Sequence, residues 1–143
     1  MAALPSPPSG APLILIVDDA EDTRFVYASF LQYRGFEVVT AVDAKAAMAS
    51  MASRTPDVIV MDFSMPGMDG LSATRLLKLD PQTTHVPVII LTGHAHIVTV
   101  AAAREAGASV LAIKPCLPDT LEAEIRRLLA EGGDDFRYVR GTV

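Results

Sequence analysis

The stretch VIVMDFSMPGMDG, residues 58–70, joins a short apolar run to a loop through a single carboxylate, Asp62. An uninterrupted run of Val, Ile and Met is typical of a strand buried on both faces, as in a parallel sheet. The proline and glycines that follow predict a break in regular structure. Asp62 could be an ordinary turn residue or a reactive group at the point where a strand meets solvent. The two interpretations can be distinguished only from the rest of the sequence.

The same pattern of a short apolar run followed by a helical stretch recurs along the chain. Asp43 is placed to cap the second helix, Pro81 ends the third, and Gly107 ends the fourth, which the pattern predicts to start near His96. Five strands alternating with five helices predict an α/β fold with helices on both faces of one parallel sheet. The predicted strands are residues 13–17, 37–41, 57–61, 86–92 and 109–113.

The length and composition indicate one globular domain. The chain has 143 residues, of which 50% are hydrophobic and 20% charged, and this suits a single core. Residues 1–12 are Pro-rich and lack Lys and Arg, so they predict a flexible extension and not a secretion signal. Residues 13–131 form the predicted domain. Residues 132–143 predict a flexible tail, too short for a DNA-binding module of its own.

Charge and residue usage exclude several classes of function. A net charge of −5 argues against nucleic-acid binding and against attraction to an anionic membrane surface. No apolar run approaches the roughly 20 residues of a membrane helix, so no membrane insertion is expected. The single Cys116 excludes an internal disulfide and fits a reducing compartment, which predicts a cytoplasmic location. His94 and His96 lack a nearby third ligand and indicate loop residues more than a metal site.

The candidate functional residues lie at the ends of the predicted strands. In a doubly wound sheet the ligand site lies beyond the carboxyl ends of the strands. Each residue there has an ordinary interpretation as a cap, a strand end or a surface charge. Together they suit a phosphoryl group, because carboxylates can hold Mg²⁺, lysine and a hydroxyl can bind phosphoryl oxygens, and a carboxylate can act as nucleophile. These residues are Asp18, Asp19, Asp62, Thr92 and Lys114.

The motifs around these residues resemble the receiver domain of two-component response regulators, of the stand-alone type. The matching motifs are VDDAEDTR at 17–24, VIVMDFSMPGMDG at 58–70, LTG at 91–93 and IKP at 113–115. All four occur in order at predicted strand ends, and the resemblance covers about residues 13–130. It implies a flavodoxin-like, five-stranded sheet of order 2-1-3-4-5.

The resemblance also implies a role for each site residue. Asp62 would be the phosphoacceptor, and Lys114 would bridge first to its carboxylate and then to the phosphate. Asp19 would bind Mg²⁺ directly, and Asp18 would reach the metal through water. Asp62 and the backbone carbonyl of Ser64 would be further ligands.

The implied switch position departs from the family. Thr92 would donate to a phosphoryl oxygen and move inward, but the switch residue is Leu111 where the family usually has Tyr or Phe. A ring that follows Thr92 is therefore missing at this position. Ser64 and His94 would flank the phosphate and influence its lifetime. The peptide bond between Lys114 and the following proline would be cis.

The resemblance implies a signalling protein and not an enzyme, apart from self-catalysed phosphoryl transfer and autodephosphorylation. The donor would be a sensor histidine kinase or a histidine phosphotransfer protein, and a downstream target protein would read the state of Asp62. A monomer or weak dimer is expected. The alternative is a phosphorylation-independent adaptor with the same fold, which Leu111 favours. A magnesium-dependent phosphatase is disfavoured, because Ser64 stands where such enzymes carry a proton-transferring acid.

Overall fold

The computed structural model describes residues 7–93 and 97–141. Within them, strands and helices alternate along the chain, and a sixth strand follows the fifth helix. The strands are β1 Leu13–Val17, β2 Glu37–Ala41, β3 Val58–Asp62, β4 Val88–Thr92, β5 Val110–Ile113 and β6 Arg137–Val139. The helices are α1 Glu21–Tyr33, α2 Ala44–Ser53, α3 Gly70–Leu79, α4 Val100–Ala106 and α5 Pro118–Glu131.

The described strands form one parallel sheet of order β2-β1-β3-β4-β5-β6. The order 2-1-3-4-5 is confirmed, and β6 is added beside β5. The sequence predicts only five strands, because a three-residue strand in a polar tail carries no periodic signal and forms through its pairing with β5. The strand order reverses between β1 and β3, so their carboxyl ends mark the expected position of a ligand site.

An apolar layer on each face holds the sheet in place. All residues of β1, β3 and β4 are buried, as expected for strands covered by helices on both sides. On one face, Leu111 of β5 packs in a cluster with Leu77 of α3 and Ala103 of α4. On the other face, Leu31 of α1 and Ile125 of α5 belong to a second cluster. This packing fixes the strand ends that carry the acidic residues.

The fourth helix begins later than the sequence predicts. Thr99 is its N-cap, and its Oγ1 accepts the N–H of Ala102 at 3.0 Å. The helix therefore starts at Val100 and not near His96, which itself lies outside the described residues. Among residues 7–93 and 97–141, no helix combines the length and apolar character needed to cross a membrane.

Candidate functional site

The carboxyl ends of β1, β3 and β5 bring three acidic residues and a lysine together. Lys114 Nζ lies 2.7 Å from Asp62 Oδ1 and 3.6 Å from Asp18 Oδ2. One carboxylate oxygen from each of Asp18, Asp19 and Asp62 lies within 4.8 Å of the others. The structure thus brings four of the residues singled out in the sequence to one edge of the sheet.

Asp62 is the last residue of β3 and is only 4% exposed. The start of α3 packs against its backbone: Gly70 N donates to Phe63 O at 2.9 Å. A Cβ atom at position 70 would lie 2.4 Å from the carbonyl oxygen of Asp62, so only glycine fits there. The sequence indicates a helix starting near Gly70, but it does not show that this glycine touches the backbone carrying the acid.

Asp18 and Asp19 follow β1 and differ in exposure, the first buried and the second exposed. Asp18 Oδ1 accepts the N–H of Ala20 at 2.8 Å, and Arg24 Nη1 donates to the carbonyl oxygen of Asp18 at 2.8 Å. Ala20 is the N-cap of α1 and makes no side-chain capping bond. The acidic pair therefore does not cap the helix in the usual way. Arg24 supports the loop, a role that its position in the sequence does not reveal.

Thr92 and Lys114 come from neighbouring strand ends. Lys114 N donates to Thr92 O at 2.8 Å, which ties the end of β4 to the residue after β5. Thr92 is buried, whereas the side chain of Lys114 is 32% exposed. The Lys114-Pro115 peptide bond is cis, as the resemblance implies.

Burial and crowded charge shift the pKa values of the central pair. Burial raises the pKa of Asp62 above its ordinary value of 3.8, Asp18 and Asp19 add to the rise, and Lys114 opposes it. Burial acts to lower the pKa of Lys114, but the hydrogen bond and charge of Asp62, together with Asp18, outweigh it and raise that pKa above 10.5. One ammonium group therefore faces three carboxylates, which favours an additional cation.

The donor set fits a hard divalent cation. Mg²⁺ prefers oxygen ligands, binds one or two carboxylates directly and retains several waters. The clustered oxygens of Asp18, Asp19 and Asp62 meet this requirement, and the exposure of Asp19 leaves the cluster open to water on one side. Ser64 is an exposed residue two positions after Asp62, and its role as a carbonyl ligand stays a prediction.

Of the two remaining predicted positions, Leu111 lies away from this cluster and His94 lies outside the described residues. Leu111 is completely buried in β5, on the sheet face covered by α4. In the sheet register it stands beside Tyr138 of β6. His94 lies outside the described residues, so its influence on phosphate lifetime stays a prediction.

Comparison with known proteins identifies the family. The family model for the response regulator receiver domain matches residues 14–126. The chain belongs to this family. The receiver domain is 39% identical over 115 residues to the response regulator PleD of Caulobacter vibrioides, covering 80% of this chain and 25% of PleD. It is 36% identical over 123 residues to the transcriptional regulatory protein PrrA of Mycobacterium tuberculosis, covering 86% of this chain and 52% of PrrA. It thus spans between a quarter and about half of these relatives.

Solved structures show the same architecture as this receiver domain. The chemotaxis protein CheY4 of Vibrio cholerae matches with a TM-score of 0.78 at 29% identity, over 84% of this chain and 100% of that one. The receiver domain of a signal transduction histidine kinase from Syntrophus aciditrophicus matches with a TM-score of 0.76 at 31% identity, over 84% and 91% of the two chains. The parallel, flavodoxin-like fold and the membership in two-component systems are therefore confirmed.

Proposed function

We propose that this receiver domain accepts a phosphoryl group on Asp62 and passes the change to a partner protein. The observation that supports the proposal is the position of Lys114 Nζ, 2.7 Å from the Asp62 carboxylate, within a cluster of three acids. A carboxylate nucleophile, an ammonium group for phosphoryl oxygens and a cation site are the groups that phosphoryl transfer to a carboxylate requires.

The proposed donor is a phosphohistidine on a sensor histidine kinase or a histidine phosphotransfer protein. An oxygen of Asp62 attacks phosphorus and forms a P–O bond. The P–N bond breaks, and its electron pair passes to the imidazole nitrogen, which takes a proton from solvent. Lys114 then pairs with one phosphoryl oxygen as a point charge, and the Thr92 hydroxyl donates to another.

The proposed cation is Mg²⁺. Asp19, Asp62 and the carbonyl of Ser64 would hold it directly, and Asp18 would hold it through water. When bound, it neutralises charge on the phosphoryl oxygens. The role of the protein is to keep the carboxylates clustered and to hold Lys114 beside the nucleophile.

Incubation with acetyl phosphate and Mg²⁺, followed by measurement of the intact mass, tests the acceptor. We expect one phosphoryl adduct on the wild type and none on Asp62→Asn. Asp43→Asn is the matched control, because asparagine caps a helix as well as aspartate does, and it should take the adduct. An adduct on Asp62→Asn, or none on the wild type, contradicts the proposal.

The lifetime of the phosphorylated form is a separate part of the proposal. Ser64 and His94 would set the rate of phosphate loss. Substituting each residue alone and timing the loss of the adduct tests this assignment. Unchanged decay in both variants would show that neither residue controls the lifetime.

The alternative function is a phosphorylation-independent adaptor. The observation in its favour is Leu111, a completely buried aliphatic residue at the position where an aromatic switch is expected. Binding of a purified target, compared with and without beryllium fluoride and Mg²⁺, discriminates the two: equal affinity supports the adaptor. In either case we propose a cytoplasmic protein, monomeric or weakly dimeric, that acts through protein contacts.

A further inference from the structure

Strand β6 lies in a groove formed by the edge of β5 together with α4 and α5. It pairs in parallel with β5, in register from Val110↔Arg137 to Ala112↔Val139. Arg137 N donates to Ser109 O at 3.0 Å, which fixes the start of this pairing. The groove is therefore shaped to bind one extended segment by main-chain hydrogen bonds.

Side chains of this segment contact both walls of the groove. On the α4 side, Phe136 packs against the apolar cluster, and the guanidinium of Arg104 lies 5.2 Å from its ring centroid. On the α5 side, Arg137 Nε lies 3.3 Å from Glu124 Oε1, and Val139 packs against the second cluster. The alternation of contacts is that of a strand, whose successive side chains point to opposite faces.

Beyond β6 the chain reaches the backbone of the candidate site. A Cβ atom at Gly141 would lie 2.9 Å from Ile113 O and 3.1 Å from Lys114 O. The tail therefore packs, without room for one further carbon, against the backbone of the residue whose ammonium group contacts Asp62.

The segment is docked by few buried contacts. Strand β6 has three residues and pairs with one neighbour among the described strands. Tyr138 is 42% exposed, and the side chain of Arg137 in its ion pair is 56% exposed. Segments with little buried surface open locally at low free energy, so a modest change at the site suffices to shift the docked fraction.

We propose that this groove is a strand-docking site occupied by residues 136–141 of the chain itself, and that phosphorylation of Asp62 weakens the docking. The inference rests on the proposed function of Asp62. A phosphoryl group on Asp62 takes up space where Lys114 Nζ now lies 2.7 Å from the carboxylate, so Lys114 has to shift in order to pair with a phosphoryl oxygen. Gly141, packed against its carbonyl group, opposes that movement. Because coupling between two sites is reciprocal, the docked tail must in turn oppose phosphoryl binding.

Hydrogen exchange measured by mass spectrometry on the full chain tests the docking. The probe is beryllium fluoride with Mg²⁺, a non-covalent phosphoryl mimic. We expect amides in residues 136–141 to exchange at least about fivefold faster with the probe, the lower end of typical couplings. Unchanged or slower exchange overturns the inference. Intact mass after acetyl phosphate separates the two proposals: no adduct overturns both, whereas an adduct with unchanged exchange overturns only this one.

Matched substitutions at Arg137 test the reciprocal effect. Arg137→Pro removes both the N–H that donates to Ser109 O and the ion pair, whereas Arg137→Ala removes the ion pair alone. Fluorine NMR titration should show that Arg137→Pro lowers the Kd for beryllium fluoride at least about fivefold relative to Arg137→Ala. Gly141→Ala, which displaces the tail by one added carbon, should lower it in the same direction. Equal Kd values in all the proteins overturn the inference.

Discussion

At the scale of single residues, Asp62 carries a negative charge that its surroundings disfavour. Its pKa is raised in the folded protein, chiefly by burial. Such a group stabilises the fold fully below its unfolded pKa and loses this contribution as the pH rises through the folded pKa. The ionised acid therefore lowers stability at pH 7, which agrees with the proposed Mg²⁺ site.

A substitution at Asp62 should reveal this loss of stability. We expect Asp62→Asn to have a higher Tm than the wild type at pH 7 in the presence of a chelator, because asparagine removes the buried negative charge. The difference should shrink in acid, where the wild-type carboxyl is protonated in both folded and unfolded states. Thermal unfolding as a function of pH measures it. A lower Tm for Asp62→Asn at pH 7 without metal would contradict the assignment.

Gly70 is the second residue whose effect can be predicted from geometry. The Cβ of Gly70→Ala would lie 2.4 Å from Asp62 O, so either α3 or the end of β3 must shift. We expect phosphorylation by acetyl phosphate to slow by about tenfold to a hundredfold, as for other displacements of a reacting group. Ser72→Ala, in the same helical turn, is the control and should keep the wild-type rate. Equal rates for the two variants would show that Asp62 does not depend on this contact.

At the scale of helices and strands, two glycines allow the effect of backbone strain on stability to be distinguished from the effect of steric crowding. Gly107 and Gly35 both have φ of +99°, but only Gly107 faces a neighbour: its added Cβ would lie 2.6 Å from Lys78 Cγ. We expect Gly35→Ala to lower the free energy of unfolding by about 1–2 kcal/mol, the cost of the left-handed conformation. Gly107→Ala should lower it further. Chemical denaturation of both variants checks the order, and the reverse order would contradict it.

Several elements were predictable from sequence because their signals are local. β1 and β2 have the predicted bounds, and Asp43 caps α2 by accepting the N–H of Ala46. β6 was not predictable, because its three residues form a strand only against β5. The sequence pattern places the start of α4 too early, because apolar residues before Thr99 extend the helical pattern upstream of the N-cap.

Some features of the candidate site are likewise predictable from sequence, and others are not. The clustering of Asp62 and Lys114 follows from the convergence of parallel strand ends, so the sequence predicts it. The contacts of Arg24, Gly70 and Gly141 with the site backbone depend on which loops pack together. A single sequence carries no local pattern for such contacts.

At the scale of the whole molecule, the proposed cation binding would be linked to folding. A ligand that binds only the folded state adds about 2.7 kcal/mol at a concentration of 100 times its Kd. We expect Mg²⁺ to raise the Tm of the wild type, and Asp19→Asn to lose most of this rise. Asp43→Asn should retain it. An equal rise in Asp19→Asn would place the cation elsewhere.

The approach of Gly141 to Lys114 also has a practical consequence for handling the protein. The described part of the chain ends at the same end of the sheet as Asp62, whereas it enters β1 from the opposite end. A fluorescent fusion or affinity tag attached directly after Gly141 would therefore stand on the side from which the proposed phosphodonor approaches, and it should hinder that donor. The same tag attached directly before residue 7 would stand at the opposite end of the sheet and leave that approach clear.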